Sequence, residues 1–67
     1  MRLDNYVGRM VRLNQESFVP IAQRARRQGM DLENQFIVAN ISPEQRKLIC
    51  YGADVRVAVS VRDVALV

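Results

Sequence analysis

Histidine and tryptophan are missing from this 67-residue chain, and cysteine occurs once, at Cys50. Without histidine there is no ordinary general base, so activated Ser–His or Cys–His nucleophiles are out of reach. A single cysteine makes no internal disulfide. The residue types around Cys50 suit a small buried hydrophobe in a strand; a reactive thiol would need a histidine or a helix N-terminus beside it. The three glycines are isolated and form no phosphate-cradling loop. The seven acids are dispersed, with no D-x-D or E-x-x-H spacing to hold a metal. Together these gaps argue against catalysis and against a bound cofactor. No stretch approaches the ~20 apolar residues that span a bilayer, and the opening Met1-Arg2-Leu3-Asp4-Asn5 lacks the apolar run of a signal peptide. The expectation is a cytoplasmic protein, of a prokaryote or of a virus that infects one, with no membrane partner.

What is present is apolar residues, at 49%. That proportion argues against disorder, which needs low hydrophobicity and high net charge. At this length one domain over residues 1–67 is expected, and it hides only a modest share of its surface. The stretch Asp54 to Arg62 carries the clearest pattern. Valines at 55, 57, 59 and 61 alternate with polar or small residues, a period of two that suits a half-buried strand and no helix.

Other segments fit around it. Tyr6 to Leu13 reads as a first strand, with Val7, Val11 and Leu13 on one face and Gly8 marking a bulge or close backbone approach. A helix is expected from Ser17 or Phe18 to Gln28, capped by Ser17, with Pro20 in its first turn and Gly29 ending it. Phe18, Ile21, Ala22 and Ala25 form its apolar side. Leu32 should anchor the connector after the helix. Residues 34–41 form a second strand, apolar on both faces: Phe36 and Val38 on one, Ile37, Ala39 and Ile41 on the other. Such a strand is usually central or covered. Ser42 to Gln45 reads as a type I turn with Pro43 at its second position. Arg46 to Tyr51 returns, Gly52-Ala53 turns again, and residues 63–67 make a short helical turn leading into extended chain.

Two of these pieces resemble one superfold. Tyr6-Val7-Gly8-Arg9-Met10-Val11-Arg12-Leu13 looks like the first strand of SH3-like small β-barrels. Val57-Ala58-Val59-Ser60-Val61-Arg62-Asp63-Val64-Ala65-Leu66-Val67 looks like their finish, a strand, one 3₁₀ turn and a short closing strand. The resemblance implies a mainly β, five-stranded barrel with the helix inserted between the first and second strands. It covers most of the chain as a pattern and rests on no family signature. The glycine-centred pattern of KOW modules is missing, as are the tryptophan and paired acids of proline-rich-peptide grooves. It therefore implies a fold and no particular function.

Charge suggests the function. Nine arginines and one lysine against seven acids leave a net charge of +3. Arg24 and Arg27 fall on the solvent side of the expected helix, with Arg26 toward its flank. Joined by Arg9, Arg12, Arg46 or Lys47, they would form a patch able to follow a phosphate backbone of nucleic acid or a ribonucleoprotein. The competing reading of these residues is a solvated helix face whose guanidinium stems shield the layer beneath. With Phe18 and Phe36 committed to the core, Tyr6 and Tyr51 are the aromatics left for base stacking. A protein-interaction or self-association module is the alternative: Met10, Met30 and the 36–41 strand could leave an apolar patch, and an open barrel has edges that pair with a second copy or an extended peptide.

Overall fold

The computed structural model describes residues 3–67. A 3₁₀ turn, Leu3–Tyr6, precedes β1 (Met10–Leu13), α1 (Gln15–Arg27), β2 (Phe36–Ser42), β3 (Lys47–Gly52) and β4 (Val55–Ser60). A second 3₁₀ turn, Val61–Asp63, leads into β5 (Val64–Leu66). All pairings are antiparallel, in one sheet ordered β4-β3-β2-β1-β5. The described residues are thus mainly β, with five strands in one sheet and a single α-helix between the first and second strands.

The sheet must curl. Its two edge strands, β4 and β5, are joined by only the three residues of the second 3₁₀ turn. Three such residues advance the chain by roughly 6 Å, whereas the edges of a flat five-stranded sheet stand about 19 Å apart. The link therefore draws the edges together and gives the sheet an inside. Val11, Leu13, Phe36, Val38, Leu48, Cys50 and Val59 fill that inside and share one buried cluster.

The valine alternation reports this interior faithfully. Val55, Val57 and Val59 point inward, while Arg56 and Ala58 are exposed. The strand stops at Ser60, two residues sooner than the alternation suggests, and Val61 packs on the core from the 3₁₀ turn. The first strand is also shorter than its residue types imply. Only Met10–Leu13 is extended; Tyr6 belongs to the opening 3₁₀ turn, Val7 is exposed, and Gly8 has φ +83°. The Gly8 amide donates to the Val38 carbonyl at 2.7 Å, but a Cβ at Gly8 would meet nothing within 4 Å, so the positive φ rather than a close backbone approach is what favours glycine there.

β2 corrects the two-faced reading. Its pairing with β3 slips between Val38 and Asn40, so Ala39 is an extra residue, a β-bulge. The bulge reverses the inside–outside parity of the residues after it. Ile41, opposite the buried Leu48, packs on the core beside Phe36 and Val38. Ile37 and Ala39 alone remain as the apolar outer residues of this strand, and both are exposed.

α1 starts earlier than the Ser17 cap would place it. Asn14 is the N-cap, its side chain accepting from the Ser17 amide at 2.9 Å. Pro20 consequently falls in the second turn, where it has no N–H for the Glu16 carbonyl. At the other end Gly29, at φ +81°, donates to Arg26 and Met30 donates to Ala25, the paired bonds of a Schellman ending. Phe18, Ile21 and the buried Ala25 turn inward, and the Phe18 ring meets Phe36 edge-on with centroids 6.3 Å apart. The helix thus covers the concave side of the sheet and leaves the convex side open.

Asn34, just before β2, acts as a substitute strand residue. Its amide nitrogen donates to the Leu13 carbonyl and its oxygen accepts from the Leu13 amide, both at 2.8 Å. Asn34→Leu keeps the volume and removes both bonds, leaving two partly buried backbone groups unpaired. We expect a loss of about 1–2 kcal/mol, seen as a fall in melting temperature of roughly 5–15 °C by circular dichroism; an unchanged midpoint would refute this role.

Candidate nucleic-acid interface

The two loops of the β2–β3–β4 meander decide where the basic residues point. The turn after β2 is closed by the Arg46 amide on the Pro43 carbonyl at 3.3 Å, so it spans Pro43–Arg46, one residue beyond the expected Ser42–Gln45. Arg46 has φ +54° and lies in this loop rather than in β3. Gly52 is the last, buried residue of β3, paired with Val55, and Ala53-Asp54 is the two-residue turn, with Ala53 at φ +51°.

The seven expected site residues are all exposed, but they do not form one patch. At about 100° per residue, Arg24 and Arg26 emerge on opposite flanks of α1, either side of the buried Ala25. Arg24 lines a cleft between α1 and β4 with Ile21, Gln28, Val55, Val57 and Arg56. Arg27 is its i+3 neighbour on that flank. Arg26 stands apart. Arg46, Lys47 and Arg12 each border a depression shared with Arg62. Acids line the same depressions: Asp4 with Arg46, Glu16 and Asp63 with Lys47, and Asp63 again with Arg12. Arg9 precedes β1, its carbonyl accepting from the Val38 amide at 3.0 Å.

Arg56 and Arg62 are additions to that set. The signal for Arg56 lay in the valine alternation itself, since the residues between inward valines must face solvent. Arg62 closes the same alternation, but the neighbours it shares depressions with come from distant segments, which no local pattern marks.

The convex face of the sheet is the other feature. Register pairs Met10 with Ile37, Ile37 with Tyr51, and Tyr51 with Arg56, so these four side chains form a row across β1, β2, β3 and β4. Val67, whose amide donates to the Met10 carbonyl, extends the row at one end. Met10, Ile37 and Tyr51 remain 48%, 47% and 41% exposed. Every charged residue within the five strands is basic: Arg12, Lys47 and Arg56. All seven acids lie in turns, loops or helical segments. The sheet surface thus combines apolar side chains and one tyrosine ring with positive charge.

Met30 is half-buried and adds nothing to the exposed apolar surface. Cys50 is fully buried, and burial pushes its thiol up to about 11, so it carries essentially no thiolate near neutrality. Among the described residues no three His, Cys, Asp or Glu side chains are grouped to hold a metal ion. No helix among them is long and apolar enough to cross a membrane. Comparisons with protein-family models, with curated proteins and with solved structures find no match to this chain.

Proposed function

We propose that this protein is a small non-catalytic binding module that engages nucleic acid, alone or within a ribonucleoprotein, through the convex face of its sheet. The observation that carries this reading is the sorting of charge: only basic residues within the strands, acids confined to the segments between them. A polyanion crossing the face would meet Arg12, Arg56 and Lys47, with Arg24 lining the cleft that Arg56 also borders at the β4 edge. The strand order and the 3₁₀ link before β5 support the likeness to SH3-like barrels, whose part here is to hold this face rigid. The helix arginines become secondary, because Arg26 diverges from the other two.

Binding of mixed DNA and RNA fragments, measured by filter retention across a salt series, tests the proposal. We expect retention at low salt that weakens steeply as salt rises. Replacing Arg12, Lys47 and Arg56 together by glutamine should flatten the salt dependence by up to about three counterions. No retention even at low salt would end it.

One observation favours a second reading. The apolar row of Met10, Ile37 and Tyr51 lies on the side of the sheet opposite the helix, and the sheet has two edge strands, β4 and β5. A second copy or another protein could cover that surface. Sedimentation at rising concentration separates the readings, because a concentration-dependent dimer lacking nucleic-acid affinity fits only this second one.

A further inference from the structure

We infer that the convex face takes single-stranded rather than duplex nucleic acid, with a base stacked on the Tyr51 ring. The inference rests on the nucleic-acid reading above and adds to it the form of the ligand. The register places Tyr51 between Ile37 on β2 and Arg56 on β4, in direct cross-strand pairs with both. The residue is 41% exposed on a strand whose inward residues, Leu48 and Cys50, are fully buried. It is therefore held by a rigid support and presented to solvent. Tyr6, the other tyrosine, packs against the core, which leaves Tyr51 as the platform.

The centre of the face is apolar and its charges are peripheral. Met10, Ile37 and Tyr51 occupy the middle of the row, Arg56 ends it on β4, and Arg12 lies two residues along β1 from Met10. A duplex offers phosphates on its outside and keeps base faces inside its stack. It would set charged phosphate against Ile37 and Met10, where nothing balances it. A single strand offers both surfaces at once: unstacked base faces for tyrosine and aliphatic side chains, and phosphates for guanidinium groups at the margins. Arg56, paired with Tyr51, is positioned to bond the phosphate next to the stacked base or to lie over that base. Four neighbouring strands span roughly 14 Å, so the ligand is a short run of nucleotides. One acid, Glu44, borders the outer-face depression that Arg56 shares with Ile49 and Ala58, and it limits the ligand on that side.

The test uses the full chain with a fluorescein-labelled oligothymidylate or oligouridylate and a hairpin duplex of equal phosphate number, followed by anisotropy at low salt. The absence of tryptophan makes tyrosine emission a second readout. We expect tighter binding of the single strand, with quenching of tyrosine emission that is lost in Tyr51→Phe. Tyr51→Ala should weaken the single strand roughly 5- to 150-fold, the range of one base–aromatic stack. It should leave the duplex unchanged, while Tyr51→Phe binds within about twofold of the parent. Because Tyr51 is exposed, the melting temperature of each variant shows whether the fold is retained. Equal binding of both probes with no effect of Tyr51→Ala would overturn this inference and leave the broader reading standing. No binding of either probe by the parent chain would overturn both.

Discussion

Phe36→Ala is expected to leave no cooperatively folded domain at 37 °C. The ring is fully buried at the centre of the core cluster and meets Phe18 of α1 edge-on. It thus ties the sheet's interior to the helix, alongside Ile21, which also packs on the core. Truncating a buried phenylalanine costs about 3–5 kcal/mol, the transfer of the ring plus the cavity it leaves. A domain of this size rarely holds more than about 3–5 kcal/mol in total. The loss is of the order of the whole stability. Urea titration followed by circular dichroism should show no folded baseline, whereas Phe36→Leu should keep a transition at a lower midpoint. A Phe36→Ala protein that melts within a few degrees of the parent would show that the helix is held mainly by other contacts.

Gly52→Ala is the second large effect, and it acts on the same ring. A Cβ built on Gly52 would stand 2.6 Å and 2.7 Å from two carbons of Phe36 and 3.0 Å from the Gln35 carbonyl oxygen. Real Cβ atoms essentially never approach a ring carbon so closely, so either the ring leaves its place or β3 moves away from β2. Overpacking of this kind costs about 1–3 kcal/mol, a fall in melting temperature of roughly 5–20 °C for so small a domain. The two positions should also be coupled. In a Phe36→Leu background the smaller side chain leaves room for the new methyl, so adding Gly52→Ala should cost less than it does alone. Strict additivity of the two changes would refute the steric origin.

These expectations sit on residues whose roles were unevenly legible. Gly52 looked like a turn residue, and its neighbour Ala53 takes the positive φ instead. Nothing within a few positions of Gly52 announces that a phenylalanine sixteen residues earlier will lie against its Cα. Phe36 itself was plain as a core residue. Ile41 was not, since the extra residue at Ala39 exists only because β2 bends against β3. The proposed site shows the same division. Arg56 was marked as outward by its own strand, but its pairing with Tyr51, and that of Tyr51 with Ile37, are matters of register between strands. Periodicity places the helix arginines on the outer side of α1, yet by itself carries no information on which flank faces β4.

The order of amino acids by itself determined the inventory: a chain without histidine, one amphipathic helix closed by Gly29, and strands whose alternating valines could bury one face and no other. Those features arise from backbone geometry within a few residues, where side-chain periodicity and conformational preference act. The tertiary structure alone decided which outward residues became neighbours. A three-residue link drew β4 toward β5, the helix took the concave side, and a basic, apolar face was left uncovered on the other. Register, curl and covering depend on the packing of segments far apart in the chain, which no local pattern encodes.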